Sequence, residues 1–337
     1  MKRILITGGT GYIGSHTTVL LLEQGYEVAI FDNLSNSKAL VIDRIERIAG
    51  RRPEFAEGDI RDEAALEKLF RQHDFDAVIH FAGLKAVGES ILQPERYYEN
   101  NVEGSRKLYA AMAKAGVSKL IYSSSATVYG AENPVPYTEN MLLSPVNPYG
   151  ETKAENERML AEICAKNSAW AVMLLRYFNP GGAHKSGFIG EEPSGIPNNL
   201  LPYVAKVAAC ELEEIHIFGD DYDTPDGTGV RDYIHVMDLA KGHVLALKWL
   251  YENQGIRAVN LGTGKGTSVR EMIKAFEGAC GKKLPSVIAP RRAGDLAEAY
   301  ADVSLARELL GFETEYGIAD ICADAWLWQN NAAGMED

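Results

Sequence analysis

The start of the chain constrains its fold more than any other segment does. Met1–Thr7 is short, apolar and β-branched, which is typical of a strand buried in a parallel sheet. The glycine-rich run Gly8–Gly14 follows at once, and Tyr12–Gln24 then has a helical pattern. Such glycines permit a tight turn and let backbone N–H groups approach a pyrophosphate, which the positive end of the helix attracts. This order predicts a dinucleotide site.

The second predicted strand indicates which dinucleotide is bound. Glu27–Phe31 ends in Asp32, at about 20 residues after the glycines, which is the spacing of a carboxylate that binds the adenosine ribose 2′-OH. An acid there disfavours a 2′-phosphate, so we expect NAD rather than NADP. A glycine turn without any ligand is the alternative. The required order of strand, glycines, helix, strand and acid argues against it.

Strand and helix patterns alternate through the first half of the chain, which predicts an α/β fold with a doubly wound parallel Rossmann sheet. Further strands are predicted at Glu54–Glu57, Asp76–Phe81, Lys119–Ser123 and Ala169–Arg176, and further helices at Glu63–Gln72, Pro94–Ala115 and Pro148–Lys166. Ligands of such sheets sit at the carboxyl ends of the strands. One ligand could therefore touch the residues at the predicted strand ends, which are Gly8, Asp32, Asp59, Phe81 and Ser123–Ser125.

The pattern changes after about Pro180, where a long segment rich in glycine and proline begins. Helical patterns recur at Leu200–Cys210, Met237–Tyr251 and Val269–Ala279, with a strand at Ala258–Leu261. We expect residues 1–179 to form an NAD-binding Rossmann domain, rejoined by about 233–262 as part of a strand-helix-strand segment over Val230–Leu261. Residues 180–232 and 263–337 are expected to form a smaller C-terminal α/β domain that binds the substrate.

Charge and cysteine content exclude several classes of protein. The formal net charge of −13 disfavours general nucleic-acid binding. The four cysteines form no C-x-x-C pair and no metal-ligand cluster, so we expect reduced thiols, a cytoplasmic location and no metal. His80 and His235 are interpreted as hydrogen-bonded interior histidines for the same reason. We expect no signal peptide and no membrane span, because no apolar run is long enough to cross a bilayer.

Tyr149 and Lys153 lie four residues apart on a predicted helix and therefore share one face. A Lys ammonium beside a phenol is expected to lower the phenol pKa, which would let Tyr149 exchange a proton with a sugar hydroxyl. Ser125 follows a strand upstream and could position the substrate oxygen. An exposed Tyr over a solvated Lys, and a loop serine in a turn, are the structural alternatives. The dinucleotide site upstream favours a catalytic trio.

Longer motifs carry a resemblance to a known family. Gly8–Gly14, Ser123–Gly130 and Tyr149–Lys153 resemble the extended short-chain dehydrogenase/reductases. Phe81–Ser90, Leu175–Pro180, Gly195–Leu200 and Gly229–Val236 narrow this to the UDP-glucose (UDP-galactose) 4-epimerases, and the likeness runs from about Lys2 to Trp328. It implies an NAD-dependent isomerase that interconverts UDP-galactose and UDP-glucose through a 4-keto intermediate. It also implies a homodimer formed through the helices predicted at Pro94–Ala115 and Pro148–Lys166.

The resemblance also assigns roles to individual residues. The catalytic residues would be Tyr149, Lys153 and Ser125. The NAD site would comprise Gly8, Gly11, Tyr12, Ile13, Gly14, Asp32, Asn33, Asn36, Ser37, Asp59, Ile60, Phe81, Ala82, Lys85, Asn100, Tyr149, Lys153, Tyr177 and Phe178. The UDP-sugar site would comprise Lys85, Ser125, Tyr149, Phe178, Asn179, Asn199, Leu200, Phe218, Arg231, Tyr233, Arg292, Asp295 and Ala299.

Several of these residues also have ordinary structural explanations. Arg231 and Arg292 could clamp a diphosphate or form surface ion pairs, and Asp295 could accept a ribose hydroxyl or form a turn. Asp59 could instead cap a helix. By resemblance, the small Ala299 leaves room at the sugar 2-position, so we expect turnover of UDP-GlcNAc and UDP-GalNAc as well, unless Tyr300 fills the gap.

Three other functions remain open from the sequence. A nucleotide-sugar 4,6-dehydratase needs an acid beside the active-site hydroxyl, whereas Ala126 and Thr127 follow Ser125. A decarboxylating relative would act on a glucuronate. A non-catalytic NAD-sensing protein could keep the glycines and lose the Tyr149–Lys153 pair, which this chain retains.

Overall fold

The computed structural model describes residues 1–193, 195, 197–292 and 294–332. The strands are β1 (Arg3–Thr7), β2 (Glu27–Asp32), β3 (Glu54–Glu57), β4 (Ala77–His80), β5 (Lys119–Ser125), β6 (Ala171–Tyr177), β7 (Asn179–Gly181), β8 (Ile215–Phe218), β9 (Val230–His235), β10 (Gly255–Leu261), β11 (Gly266–Ser268), β12 (Ser286–Ala289) and β13 (Glu298–Ala299). The helices are α1 (Tyr12–Glu23), α2 (Leu40–Ala49), α3 (Glu63–Gln72), α4 (Val87–Leu92), α5 (Pro94–Tyr98), α6 (Gly104–Lys114), α7 (Pro148–Lys166), α8 (Leu200–Ala208), α9 (Val236–Glu252), α10 (Val269–Cys280), α11 (Ser304–Leu310) and α12 (Ile318–Ala332). Ile196 of the predicted substrate motif and residues 333–337 of the predicted substrate domain lie outside the described residues.

The central sheet has the strand order β10-β6-β5-β4-β1-β2-β3, and its neighbouring strands are parallel. The chain leaves β1 in one direction to form β2 and β3, then returns to place β4 on the other side of β1. The strand order therefore reverses between β1 and β4, where such sheets bind their ligands. The predicted doubly wound α/β fold is confirmed.

Helices cover both faces of this sheet. Ile4 and Ile6 of β1 pack in an apolar layer with α1, α2 and α9, whereas Leu5 packs on the opposite face with α3, α6 and α7. Side chains alternate between faces along a strand, so a strand buried on both sides is apolar throughout. Burial of one such side chain stabilises the fold by roughly 1.5–3 kcal/mol. The apolar strand seen in the sequence is therefore a consequence of this two-sided covering.

A second body of structure lies beyond the carboxyl ends of the sheet. Helices α8, α10 and α12 share an apolar cluster that includes Val204, Phe276 and Ile321. Strand β9 pairs with β7, β11 and β13, and β8 pairs with β12. Of the predicted Val230–Leu261 segment, β10 joins the main sheet and α9 packs against α1. Strand β9 does not join that sheet, because its pairing partners are in the second body.

The helix predicted at Pro94–Ala115 is interrupted. Helix α5 passes through a π-helical turn at Glu99–Glu103 before α6 begins. In this turn Asn101 is buried, and its side chain accepts a hydrogen bond from Leu84 N at 2.8 Å and donates one to Leu84 O at 2.9 Å. The turn therefore satisfies the backbone of the loop after β4, as π-turns at functional sites often do. None of the described helices combines the length and apolar content needed to cross a membrane.

Candidate active site

The glycine-rich run forms a tight turn between β1 and α1. Gly8 adopts φ +72°, and a Cβ there would lie 2.6 Å from the backbone nitrogen of Ala82. A Cβ at Gly14 would overlap the Gly8 carbonyl oxygen and lie 2.8 Å from Gly9 Cα. Gly11 is the N-cap of α1, and within the described chain no side chain caps this helix. Its first N–H groups are therefore available to an anion.

Asp32 ends β2 beside this turn. Its buried carboxylate accepts hydrogen bonds from Thr10 N at 3.1 Å and Leu34 N at 2.9 Å. The Thr10 hydroxyl also lies 2.6 Å from the Ser37 hydroxyl, which ties the glycine turn to the loop after β2. Asp32 is therefore held in place at the edge of the predicted dinucleotide site.

Asp59 lies near the end of the neighbouring strand β3. Its carboxylate accepts from Asn33 Nδ2 at 2.9 Å and from Arg61 Nε at 3.0 Å. The hydrogen bond from Arg61 lowers the pKa of Asp59 to about 2, so the carboxylate is ionised at neutral pH. Asp59 is not the helix N-cap that its sequence position allowed. Asp62 caps α3 instead, by accepting from Ala65 N at 3.0 Å.

An acidic strap, Glu191 and Glu192, reaches this turn from the segment before α8. Lys85 Nζ lies 2.9 Å from Glu191 Oε1 and 5.9 Å from the centroid of the Tyr12 ring. Glu192 pairs with Lys38 at 2.5 Å. The strap was not identified from the sequence, where two adjacent carboxylates in an irregular segment were the only signal.

The remaining predicted cofactor residues come from neighbouring strand ends. Asn33, Asn36 and Ser37 occupy the loop after β2, and Ile60 follows β3. Phe81, Ala82 and Lys85 follow β4, and Asn100 lies in the π-helical turn. Tyr177 ends β6, and Phe178 follows it. The Phe81 ring lies 4.8 Å from the His243 ring, and the Tyr177 hydroxyl hydrogen-bonds to the same histidine. The side chains of Ile13 and Ile60 contact the apolar layers.

The predicted catalytic trio meets where β5 ends and α7 begins. Asn147 caps α7 by accepting from Gly150 N at 2.9 Å, which fixes Tyr149 in the first helical turn. Ser125 ends β5 beside the Tyr149 hydroxyl, and its own hydroxyl accepts from Thr127 N at 3.2 Å and from Thr127 Oγ1 at 3.0 Å. Lys153 lies one turn further along α7, where its buried Nζ donates to the Ser123 carbonyl at 2.5 Å.

The expected effect of Lys153 on Tyr149 is wrong for this structure. Burial of the hydroxyl raises the pKa of Tyr149 to about 12, and the neighbouring Ser125 hydroxyl opposes this only in part. Burial also lowers the pKa of Lys153 to about 7, against the attraction of Glu157. Removing water penalises both charged forms more than the neighbouring groups favour them. The side chains share a face as predicted, but the sign of the phenol shift is opposite.

Predicted substrate residues gather around β9 and β13. Arg231 Nη2 lies 2.6 Å from Asp295 Oδ1, and Arg292 Nη2 lies 3.0 Å from Asp295 Oδ2. The Arg292 guanidinium lies 4.9 Å from the centroid of the Phe218 ring. Ala299 is the register partner of Arg231. Two guanidinium groups thus share one carboxylate, which leaves a local excess of positive charge.

Two further predicted substrate residues lie on the paired strands β7 and β9, and two lie at the start of α8. Asn179 is the register partner of Tyr233, and Asn199 and Leu200 begin α8. Asn199 Nδ2 lies 3.4 Å from Glu191 Oε1 of the acidic strap. Tyr233 is buried in the apolar cluster of α8, α10 and α12, so its ring packs as a core side chain.

Comparison with known proteins identifies the family. The sequence model of the NAD dependent epimerase/dehydratase family matches residues 4–262. The chain belongs to this family. It is 53% identical to a UDP-glucose 4-epimerase of Neisseria meningitidis serogroup C over 100% of both chains. It is also 53% identical to the UDP-glucose 4-epimerase of Bacillus subtilis over 97% of both.

Solved structures of epimerases show the same fold. The UDP-glucose-4-epimerase of Stenotrophomonas maltophila, with bound NAD and formylated UDP-arabinopyranose, is 49% identical, with a TM-score of 0.97 over 99% of both chains. The enzyme of Bifidobacterium longum, in complex with NAD+ and UDP, is 50% identical, with a TM-score of 0.95 over 98% of this chain and 99% of that one.

This member of the epimerase family has a site that fits NAD. The Cβ positions at Gly8 and Gly14 are filled by backbone atoms, so only glycines allow the turn that leads into α1. The N-terminal end of α1 offers N–H groups to a pyrophosphate, and Asp32 offers a carboxylate to a ribose. Within the described residues, no group of three or more His, Cys, Asp or Glu could hold a metal ion.

Proposed function

We propose that this epimerase interconverts UDP-glucose and UDP-galactose by inverting C4 of the hexose through a 4-keto intermediate, with NAD retained throughout the cycle. The observation that carries the proposal is the meeting of Ser125, Tyr149 and Lys153 beside a dinucleotide turn. Relatives that match essentially the whole chain are UDP-glucose 4-epimerases. A dehydratase or a non-catalytic NAD sensor is not favoured by these relatives.

The chain's own residues would perform the proton chemistry. Tyr149 takes the proton of the 4-hydroxyl and later returns it to the 4-keto oxygen, after the sugar has turned to present its opposite face. Ser125, which lies beside the Tyr149 hydroxyl, would hold the substrate oxygen in reach of that proton. Lys153 stabilises the phenolate when it is charged. NAD, when bound, supplies the acceptor for the C4 hydride.

The residues assigned to NAD share the strand ends around β1 and β4. We assign the pyrophosphate to the turn containing Gly8, Gly11 and Gly14, and the adenosine ribose to Asp32. Lys85 would add a positive charge near the phosphates. Its present partner is Glu191 of the acidic strap, so the strap would close over the cofactor and slow its release. This supports retention of NAD between turnovers.

The two arginines near Asp295 would hold the UDP diphosphate. Arg231 and Arg292 both bind the Asp295 carboxylate in the structure. A diphosphate carries more charge than one carboxylate and offers several acceptors, so it would draw both guanidinium groups. Asp295 would then be able to accept a ribose hydroxyl. Phe218, which contacts Arg292, would flank the uracil side of the site.

Ala299 would set the range of sugars. It packs in a cluster with Phe178 and lies beside Arg231, so its side chain faces the substrate residues. Tyr300 is next in sequence, and its ring lies near Gly266, beside Val230. Ala299 ends β13, and adjacent residues of an extended chain face opposite sides, so Tyr300 would not fill the space beside Ala299. We therefore expect turnover of UDP-GlcNAc and UDP-GalNAc.

The Ala299 prediction is tested with the four UDP-sugars. The wild-type enzyme should epimerise both plain and N-acetylated sugars, and Ala299→Tyr should lose the N-acetylated pair while keeping the plain pair. Tyr300→Phe is the matched control, because it changes the neighbouring residue without adding bulk. Wild-type enzyme that turns over only the plain sugars would contradict the prediction.

We also propose a homodimer, a cytoplasmic location and a division of labour between two domains. Ile91 and Leu92 of α4 are 61% and 82% exposed, and Tyr98 on α5 bonds to Glu151 on α7. Such an apolar face beside α5 and α7 suits a two-fold helical interface. The four cysteines are free, as in a reducing compartment. Residues 1–179 with about 233–262 would bind NAD, and 180–232 with 263–337 would bind the UDP-sugar.

Tyr149→Phe tests the proposed reaction. The variant should keep NAD bound and lose turnover by about 10²–10⁴-fold, the usual cost of removing a general acid/base. The assay follows UDP-galactose and UDP-glucose without added NAD, and NMR of the products distinguishes epimerisation from loss of water. Tyr98→Phe, which removes a surface hydroxyl, should remain active. Near-normal activity of Tyr149→Phe would refute the assignment.

A further inference from the structure

A buried ion pair lies directly behind the proposed catalytic residues. Glu157 is on α7, one turn beyond Lys153, and Arg176 is on β6; each side chain is 5% exposed. Glu157 Oε2 accepts from Arg176 Nη2 at 2.6 Å, and Oε1 accepts from Arg176 Nε at 3.0 Å. Buried pairs of this kind rarely add net stability, because both charges lose their hydration. The position of this pair therefore suggests a role in the site.

The pair is connected to the end of β5. The Ser124 hydroxyl donates to Glu157 Oε1 at 2.6 Å, and Ser124 is the register partner of Arg176. Its two sequence neighbours are Ser123, whose carbonyl accepts from Lys153, and Ser125. The ion pair thus fixes the strand end that carries one catalytic residue relative to the helix that carries the other two.

Glu157 is the charged group that acts on Lys153, and Arg176 is the counter-ion of Glu157. The other titratable groups that face this region are Tyr149 on α7, Tyr122 on β5, His80 on β4 and Tyr177 on β6. Burial raises the pKa of the three tyrosines and lowers the pKa of His80 to about 3, so all four are neutral near pH 7. Glu157 attracts the positive charge of Lys153, which burial disfavours.

We propose that Glu157 and Arg176 act as a positioning pair, which sets the charge state of Lys153 and aligns Ser125 with Tyr149 for proton transfer. The inference rests on the proposed function, since it assigns a role within the same site. Neither residue touches the substrate. Both act through the lysine and the strand end.

The proposal predicts that two substitutions shift the pH at which Lys153 loses its proton, in opposite directions. Glu157→Gln removes the negative charge and leaves Arg176 beside Lys153, so the lysine loses its proton at lower pH. Arg176→Gln leaves Glu157 without its counter-ion, so the lysine keeps its proton to higher pH. Each displacement should be on the order of one pH unit. The double variant should fall between the two. A purely structural pair would not displace the profile in opposite directions.

The experiment measures kcat/KM for UDP-galactose against pH, which reports groups of the free enzyme. The alkaline limb of the wild-type profile, where Lys153 loses its proton, is the reference. It should move down in Glu157→Gln and up in Arg176→Gln. Glu155→Gln is the matched control, because Glu155 lies on the same helix and pairs with Arg158 at the surface, 2.9 Å away. Its profile should match the wild type.

A second measurement does not depend on turnover. The folded protein binds the Lys153 proton less tightly than the unfolded chain, so a stability penalty develops as pH falls from the unfolded pKa and stops growing below the folded one. The free energy of unfolding is measured against pH for each variant, with and without Lys153→Met. The difference locates the pH below which the penalty stops growing. This pH should be lower in Glu157→Gln and higher in Arg176→Gln than in the wild type.

The outcomes separate this inference from the proposed function. Wild-type enzyme without epimerase activity refutes the function, while the unfolding measurement still tests the charge coupling. If the wild-type enzyme is active but the alkaline limb of kcat/KM is not displaced in Glu157→Gln and Arg176→Gln, the inference is overturned and the proposed function stands. If one single variant does not fold, the other and the double variant, which carries no unpaired buried charge, decide by the same displacement.

Discussion

Substitution of Gly14 tests whether the packing of the glycine turn, rather than helical propensity alone, determines cofactor binding. Gly14 is in the first turn of α1, and Gly278 is in α10, where it is exposed. Replacing a glycine with alanine inside an exposed helix usually stabilises it by about 0.5–1 kcal/mol. Gly278→Ala should show this gain, because nothing lies within 4 Å of its added Cβ.

The same substitution at Gly14 should have the opposite effect. The added Cβ would overlap the Gly8 carbonyl oxygen and lie 2.8 Å from Gly9 Cα. Both obstacles are backbone atoms, so no side chain can rotate away, and overpacking of this kind costs about 1–3 kcal/mol. Relative to Gly278→Ala, the Gly14 variant should therefore be less stable by about 1.5–4 kcal/mol. The displaced turn should also misalign the N–H groups that face the pyrophosphate.

Two measurements on purified protein test this expectation. The first is the amount of NAD released on denaturation, which should be lower in Gly14→Ala than in the wild type, because a loss of about 1.4 kcal/mol weakens binding tenfold. The second is the thermal midpoint with and without added NAD, because a ligand that binds the folded state raises it. Gly278→Ala should match the wild type in NAD content and in the rise of the midpoint that NAD produces, with slightly higher midpoints in both conditions. If Gly14→Ala keeps its NAD and its midpoint, the steric reasoning about this turn is wrong.

Two further predictions concern cofactor release and pH. Glu191→Gln should release NAD faster than the wild type, because the strap would lose its ion pair with Lys85. Dilution of the NAD-bound enzyme into an excess of a competing dinucleotide would measure the rate of NAD release. An unchanged rate would exclude the proposal that the strap closes over the cofactor. Lys153→Met should lower kcat/KM by about 10²-fold or more and abolish its alkaline limb, since the pKa of Lys153 is about 7 and the charged form is lost above it. A limb that persists in this variant would belong to another group.

The fold was predictable because the two-sided burial of parallel strands appears directly in the sequence. The strand Glu54–Glu57 and the helices Glu63–Gln72 and Pro148–Lys166 have the predicted bounds. Helix ends were marked by local chemistry, such as Pro148 in the first turn of α7. The π-helical turn at Glu99–Glu103 was missed because its cause is tertiary. Asn101 turns inward to bind a loop that is distant in sequence.

The sequence predicted which residues form the site better than it predicted the contacts between them. The spacing of Tyr149 and Lys153 specified a shared helical face, and the glycines specified a turn at the end of β1. Contacts between distant segments could not be obtained in this way. The acidic strap binds Lys85 from a position more than a hundred residues away, and Arg176 meets Glu157 only because β6 lies beside β5 under α7. Charge alone does not show which partner a surface or interior carboxylate will find.

The electrostatics of Tyr149 show why burial must be known before a pKa can be argued. With a pKa of about 12, the phenol is almost entirely protonated at pH 7, and each pKa unit represents about 1.4 kcal/mol of opposing free energy. Ionisation of the buried phenol therefore depends on a charged lysine nearby, but the same burial disfavours the charge on that lysine. Lys153, with a pKa of about 7, is close to half charged at neutral pH. A small change in its surroundings then alters the charged fraction more than it would for a solvated lysine. A buried carboxylate one turn away is consequently part of the chemistry of this site, although it lies beyond the reach of any substrate.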